Sequence, residues 1–176
     1  MVLHSPWARL NVIFTYGVTC LALISGLASL SLAILPSHAE VSITNPEVLR
    51  MRYVNQNFAS GEQAFLQFDI DADLTGLWNW NVKQLFVFLV AEYKTKHSKL
   101  NQAIIWDTII QEEEMAHIDI RKENAKYPLV DVQNQLRKLD VNLTLRWDIM
   151  PFVGPLRSGG GQKHNVVDFR LPKEYL

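Results

Sequence analysis

The chain has 176 residues, with 17 basic and 18 acidic side chains and a formal net charge of −1 at pH 7. This balance gives no electrostatic reason to expect nucleic acid as a partner. Cys20 is the only cysteine, which excludes an internal disulfide, so the folded part must depend on its hydrophobic core.

The N-terminal segment is almost free of charge. Arg9 is the only Lys, Arg, Asp or Glu before Glu40, and residues 12–35 form an uncharged, largely apolar run. As a helix this run would be about 36 Å long, enough to cross a hydrocarbon core of ~30 Å. We therefore predict a transmembrane helix at 12–35. Positive charge favours the cytosolic side, so we expect a short cytosolic segment at 1–11 and a translocated domain at 36–176.

A cleaved signal peptide is the alternative for this segment. Ser37-His38-Ala39 fits the small-x-small pattern of a cleavage site. The apolar region of a signal peptide is only about 7–15 residues long, however, and this run is much longer. The length favours an uncleaved signal anchor over a cleaved signal.

The predicted membrane helix has small side chains along one side. Small residues let the backbones of two helices approach closely in lipid, although such residues are common in membrane helices generally. We hypothesise that this side contacts another membrane helix. Its residues are Ala22, Ser25, Gly26, Ser29 and Ala33.

Short segments rich in Val, Ile, Phe, Leu and Trp follow, separated by clusters typical of turns. Residues 64–74 and 141–149 alternate between apolar and polar side chains, as half-buried strands do. Residues 82–93 and 102–110 are apolar on both faces, which is typical of covered strands. Strands are also expected at 117–121 and 166–171, weak helices at 111–115 and 131–139, and a glycine-rich flexible loop or hairpin tip at 157–165. The pattern predicts a mainly β fold, an antiparallel β-sandwich tethered by one N-terminal helix.

Three aspartates, Asp69, Asp71 and Asp73, alternate along the first of these strands. Their spacing is that of a calcium-binding loop, but such a loop needs Gly at its sixth position and Glu at its twelfth. Leu74 and Trp80 stand there instead. We expect a solvated strand face. A pair of carboxylates for glycoside hydrolysis stays open, because alternate residues of a strand lie about 6–7 Å apart.

No other pattern indicates catalysis or a cofactor. No serine has a sequence context that marks it as a nucleophile, and the phosphate-loop and zinc-protease motifs are absent. The motifs therefore offer no candidate catalytic residue, cofactor or metal site, and a serine–lysine or serine–histidine pair brought together by the fold stays open. The histidines are scattered without metal-ligand spacing, at positions 4, 38, 97, 117 and 164.

Asn142-Leu143-Thr144 is an N-glycosylation sequon. The alternation of residues 141–149 places Asn142 on the outward face of its strand. If the domain is translocated, this asparagine is a glycan acceptor. Because tripeptides of this kind also arise by chance, an unmodified asparagine is the alternative.

Three stretches of the sequence are the most distinctive. They are FDIDADLTGLWNWNVKQLFVFLVAEY (68–93), LNQAIIWDTII (100–110) and VNLTLRWDIMPFVG (141–154). In these stretches, in length and in the order of its segments, the chain resembles signal peptidase complex subunit 3. The resemblance implies a non-catalytic, single-pass type II protein of the endoplasmic reticulum membrane. Its lumenal β-sandwich would position and stabilise the catalytic subunit that removes signal peptides from secretory proteins.

The resemblance also implies partners: the catalytic subunit and the other subunits of the complex, with membrane lipid around the helix and no small-molecule substrate. Two other functions stay open, an anchored or secreted glycan-binding sandwich and an anchored hydrolase that uses the three aspartates. Residues 78–110 contain more aromatic side chains than one sandwich face usually needs, so some are expected to contact a lumenal partner, although most could be core. They are Trp78, Trp80, Phe86, Phe88 and Trp106.

Overall fold

A computed structural model describes residues 5–34, 37–56, 59–160 and 166–176. Its one helix in these ranges, α1, covers Pro6–Ile34 and is long and apolar enough to cross a membrane. It begins six residues before the predicted span, because proline is well suited to the first turn of a helix. Leu35, the last residue of the predicted span, lies outside the described residues.

Nine strands form the rest of the described fold, and two short 3-10 helices, Thr75–Leu77 and Glu113–Met115, lie between them. The strands are β1 (Glu40–Gln56), β2 (Ala59–Asp73), β3 (Val82–Tyr93), β4 (Asn101–Ile110), β5 (His117–Asn124), β6 (Leu129–Asp131), β7 (Asp140–Pro151), β8 (Arg157–Gly160) and β9 (Val166–Arg170).

The strands make two antiparallel sheets. In the first sheet β2 lies between β1 on one side and β5 and β6 on the other. In the second sheet the order is β4-β3-β7, and β8 and β9 share the remaining edge of β7. The predicted mainly β fold with a single N-terminal helix is confirmed.

The core lies between the two sheets. The edge of the Phe68 ring on β2 meets the Trp106 ring of β4, with 6.4 Å between the ring centres. The predicted inner faces of β2 and β7 are confirmed, because every inward side chain of the alternating patterns is buried. These are Ala64, Leu66, Phe68, Ile70 and Ala72 on β2, Leu74 directly after it, and Val141, Leu143, Leu145, Trp147 and Ile149 on β7.

Four segments differ from the sequence-based predictions. Residues 40–56, for which no strand was predicted, form the long strand β1. The helix predicted at 131–139 is wrong: the segment is turns, in which Asn134 and Lys138 adopt positive φ. Residues 157–160 of the predicted loop form β8, while 161–165 lie outside the described residues. The weak helix at 111–115 is reduced to the 3-10 turn at Glu113–Met115.

One end of the sandwich is joined to α1, and we call it the proximal end. The connections 74–81 and 111–116 cross between the sheets here, next to the start of β1 and the end of β7. The N–H of His38 donates a hydrogen bond to the carbonyl of Gly76 at 3.4 Å. Only glycine fits at position 76, because a Cβ there would lie 2.5 Å from the His38 carbonyl oxygen. The chain leaving the helix is therefore fixed against the 74–81 connection.

Candidate interaction surfaces and the aspartate strand

Asp69 is a buried structural acid. It is 7% exposed, and its carboxylate accepts hydrogen bonds from the backbone N–H of Lys122 at 2.7 Å and the side-chain amide of Asn45 at 2.6 Å. Both partners have positive φ and lie at register shifts of the strands on either side of β2. Asp69 thus holds two irregular edges against the central strand, and the predicted solvated environment is wrong for this residue.

The other two aspartates lie at the surface, as predicted. Asp71 forms an ion pair with Arg121 at 3.2 Å. The Asp73 carboxylate accepts hydrogen bonds from the backbone N–H and the hydroxyl of Thr75, at 3.0 and 2.6 Å, and so starts the 3-10 turn. Each aspartate therefore has a partner that explains it without a substrate.

The protonation of these acids does not suit acid catalysis. The backbone N–H of Lys122, followed by the Asn45 amide, holds the pKa of Asp69 below its usual value. The hydrogen bonds from Thr75 lower the pKa of Asp73 in the same way. A glycosidase acid needs a raised pKa to keep its proton near neutral pH. The strand therefore gives no support to the hydrolase alternative.

These shifts predict a loss of stability in acid. An acid whose pKa is lower in the folded chain than in the unfolded chain stabilises the fold above its unfolded pKa, which is 3.8 for Asp69. That stabilisation is lost as the pH falls through the lowered value. We expect the free energy of unfolding, measured in detergent by circular dichroism, to fall below about pH 4.

Asp69→Asn should make this acid-induced fall smaller, because asparagine carries no charge to be neutralised. Asp168→Asn, at an exposed aspartate of β9, is the matched control. An equal decline in the parent chain and the Asp69→Asn variant would contradict this role of Asp69.

Metal ligands are not grouped in the part of the chain that the structure describes: no three His, Cys, Asp or Glu side chains there could hold an ion together. His38 and His117 are both exposed at the proximal end. His4 and His164 lie outside the described residues.

The predicted contact tryptophans lie in three different environments. Trp106 is 4% exposed, and its indole N–H donates to Glu123 at 3.1 Å, so it belongs to the core and the prediction of a partner contact is wrong for it. Trp78 is half-buried against the core. Trp80 is 65% exposed in the 74–81 connection.

Phe86 and Phe88 lie side by side on the outer face of the second sheet. Their rings stack with 5.2 Å between centres. The register of β3 places Phe86 between Ile109 and Asp148, and Phe88 between Asp107 and Arg146. Both rings are half-buried, while the intervening inward residues are completely buried.

The apolar surface around these rings continues onto the neighbouring strands. Ile104 and Ile109 of β4 are each about half exposed, and Met150 of β7 is partly exposed. We call this surface, formed by Phe86, Phe88, Ile104, Ile109 and Met150, the aromatic face. At its distal end Glu92 accepts hydrogen bonds from Arg146 and Gln102, which gives it a polar rim. An apolar centre with a polar rim is the usual composition of a protein–protein interface.

Ile104, Ile109 and Met150 were not among the residues predicted from the sequence. They are identified by the strand register, because residues paired across neighbouring strands point to the same face of a sheet. A bulge at Leu89/Val90 changes the pairing of β4, so Ile104 points outward while Ile105 and Trp106 are buried. The alternation of β4 alone does not reveal this.

Asn142 is exposed on β7, as its alternation predicts. It pairs with Glu92 of β3 and Asp168 of β9, beyond the distal rim of the aromatic face. Thr144, the third residue of the sequon, is 2% exposed, and its hydroxyl has no hydrogen-bond partner among the described atoms.

Among the described residues, the small-residue side of α1 is exposed at Ala22, Ser25 and Gly26 and partly buried at Ser29. A Cβ added at Gly26 would meet nothing within 4 Å, and the large neighbours Leu23 and Leu27 are exposed. Ala22, Ser25 and Ser29 lie on the same helix, while the side chain of Ala33 lies outside the described ones.

A buried carboxylate that the sequence did not reveal lies at the distal end of the first sheet. Glu62 is completely buried. It accepts hydrogen bonds from the N–H of Leu136 at 2.8 Å, the guanidinium of Arg137 at 2.7 Å and the hydroxyl of Tyr175 at 2.9 Å. One side chain of β2 thus fixes the 132–139 loop and the end of the chain.

The sequence is similar to one family of known proteins along nearly its whole length. Residues 3–174 match the family described as Signal peptidase subunit. The match includes the helix, both sheets and the connection between helix and sandwich.

Individual relatives are similar over nearly the whole chain or over more than half of it. Signal peptidase complex subunit 3 of Drosophila melanogaster is 35% identical over 98% of this chain and 97% of its own length. The protein of the same name from Dictyostelium discoideum is 34% identical over 99% and 98%. The Homo sapiens protein of that name is 41% identical over 60% of this chain and 59% of its own.

Proposed function

Because this chain belongs to the signal peptidase subunit family, we propose that it is a non-catalytic accessory subunit of a signal peptidase complex. The observation that carries the proposal is the extent of the similarity, which covers helix and sandwich together. Neither the relatives nor the engaged aspartates support a hydrolase or a glycan-binding protein.

The subunit would act by holding the catalytic subunit in place at the membrane. In our proposal α1 crosses the endoplasmic reticulum membrane with Arg9 on the cytosolic side and the sandwich in the lumen, since positive charge favours the cytosol. The sandwich would hold the catalytic subunit at the height where the cleavage site of a signal peptide emerges. Such positioning matters, because a misplacement of about 1 Å can cost about 10²-fold in rate.

The aromatic face is our candidate for the contact with the catalytic subunit. It combines stacked phenylalanines with exposed isoleucines, and Arg146 beside Phe88 is paired with Glu92 at the rim. Aromatic residues at the centre of an interface tend to supply most of its binding energy. Trp78 and Trp80 lie near the start of β3, outside this face.

Affinity purification of the tagged full-length chain in mild detergent tests the proposal. We expect the catalytic subunit and signal-peptide cleavage activity to be recovered with it. Depletion of the chain from cells should leave uncleaved precursors. Recovery of the chain alone, together with normal processing after depletion, would refute the assignment.

The small-residue side of α1 is our candidate contact with another membrane helix of the complex. Leucine at positions 25 and 29 would keep the backbones apart, so Ser25→Leu/Ser29→Leu should reduce the recovery of the partner subunits. Ile24→Leu/Leu27→Ile changes larger, exposed side chains on the other side of α1 and serves as the control. Equal recovery with both variants would argue against this contact.

We also propose that Asn142 carries a glycan. Support comes from its exposure and its place beyond the rim of the aromatic face, where a glycan leaves the proposed interface open. Endoglycosidase treatment should increase the gel mobility of the parent chain and leave Asn142→Gln unchanged. No shift in the parent chain would exclude the modification.

A further inference from the structure

A cluster of exposed apolar side chains lies at the proximal end, apart from the aromatic face. Trp80 of the 74–81 connection is 65% exposed and Phe152 of the 151–156 segment is 66% exposed. Val153 and Leu156 of the same segment are also exposed. We call these four residues the apolar tip.

The two segments of the tip are fixed to each other. The Asn81 side chain is buried, accepts the N–H of Val153 at 3.0 Å and donates to its carbonyl at 2.8 Å. The Asn81 carbonyl accepts the N–H of Phe152 at 2.8 Å. Gly154, with φ 121°, completes the turn that presents these residues. Trp80 and Phe152 are therefore neighbours on a rigid support.

The tip lies close to the end of the membrane helix. His38 is hydrogen-bonded to Gly76, in the same connection as Trp80. Four residues separate His38 from Ile34, where α1 ends, and four residues of extended chain span at most about 14 Å. The proximal end can therefore not move far from the membrane surface that α1 leaves.

Trp7 lies at the other end of α1, and its distance from Ile34 matches the thickness of a bilayer. It is exposed in the first turn of α1, and 27 residues separate it from Ile34, about 40 Å along a helix. A bilayer including its headgroups is about 40–45 Å thick. Tryptophan is enriched at both interfaces of a membrane because its ring is apolar and its N–H is polar. With Trp7 at one interface, Ile34 lies at the other, and the connection that carries Trp80 is hydrogen-bonded to His38 in the chain that leaves Ile34.

Charges of both signs surround the tip, which favours neutral lipid: Lys83 lies just after its first segment and Arg157 just after its second. Residues 74–81 and 151–156 contain no Lys, Arg, Asp or Glu. The neighbouring 111–116 connection is acidic, with Glu112, Glu113 and Glu114 all exposed. Other exposed apolar residues, such as Val132, lie at the distal end of the sandwich, beside Gly61 near the start of β2. Among the residues that the structure describes in the sandwich, only the tip combines an exposed tryptophan, segments without charge and nearness to the span.

We propose that the apolar tip inserts into the headgroup layer of the bilayer that α1 crosses. The lipid recognised is zwitterionic, and the contact is apolar. The sandwich is then held to the membrane at two points, the helix and the tip, so that its tilt is fixed. This inference requires that α1 spans the membrane and is independent of assembly with other subunits.

The test uses the full-length chain, with Cys20→Ser, reconstituted alone into phosphatidylcholine vesicles. A nitroxide spin label is attached to Phe152→Cys and, in a second protein, to Leu156→Cys. Both positions are exposed, so the variants keep the fold. Val132→Cys, 68% exposed at the distal end, is the matched control. Collisions with lipid-soluble oxygen and a water-soluble nickel chelate are measured.

Labels at 152 and 156 should collide more often with oxygen and less often with the nickel chelate than the label at 132 does. The shift should persist without anionic lipid. Equal access of the chelate to all three positions, or a shift that appears only with phosphatidylserine, would overturn the proposal. Because no other subunit is present, either result leaves the proposed function untouched.

Discussion

We expect the Glu62→Ala variant to unfold with a free energy about 3 kcal/mol lower than that of the parent chain. Removal of one partner from a buried ion pair costs about 3–5 kcal/mol, and the lower end applies because the Arg137 side chain is about half exposed. The Leu136 N–H would also lose the acceptor that it has in the fold. Chemical denaturation of the full-length protein in detergent measures the difference.

Glu113→Ala is the control, because Glu113 is an exposed glutamate in a 3-10 turn. Its free energy of unfolding should change by less than about 0.5 kcal/mol. Glu62→Gln keeps the shape of the side chain and should fall between the two variants. If Glu62→Ala and Glu113→Ala unfold alike, the cluster around Glu62 does not stabilise the fold.

The second large effect is expected on assembly. Phe88 lies at the centre of the aromatic face, stacked on Phe86. A central aromatic residue of an interface is worth about 2 kcal/mol or more, which corresponds to about 30-fold in affinity. We therefore expect Phe88→Ser to lose most of the catalytic subunit that co-purifies with the parent chain.

Phe65→Ser is the matched control for this experiment. Phe65 is also a half-buried phenylalanine, but it points outward from the first sheet and packs under Arg52. Both variants should lose similar amounts of stability, as thermal unfolding can verify. Equal loss of the partner from both would mean that the aromatic face is not the contact.

The alternating strands were predictable because one of their faces is buried. β2 and β7 lie inside their sheets, so every second residue meets the core and the period of two is visible in the sequence. β1 was missed because it is an edge strand whose pattern is interrupted. Asn45 has positive φ, Pro46 cannot donate a ladder hydrogen bond, and two register shifts follow within six residues.

Contacts between distant residues limit what the sequence can show. In the sequence Glu62 looks like any other polar residue of a strand. Its partners Leu136 and Tyr175 are 74 and 113 residues away along the chain, and only the fold brings them to it. The same carboxylate explains why 131–139 is not a helix, since the Leu136 N–H bonds to it. Family membership was predictable from the motifs in 68–110 and 141–154, whereas the aromatic face required the register of three strands.

The buried hydroxyl of Thr144 sets an order of events for a glycan on Asn142. A sequon is read through its threonine as well as its asparagine, and β7 is paired on both sides once β3 and β9 have joined it. Transfer of the sugar would therefore have to precede closure of this sheet. The fraction of chains that carry the glycan would then depend on the rate of glycan transfer relative to the rate of folding. Variants of this chain that fold more slowly should therefore be glycosylated to a larger fraction than the parent chain.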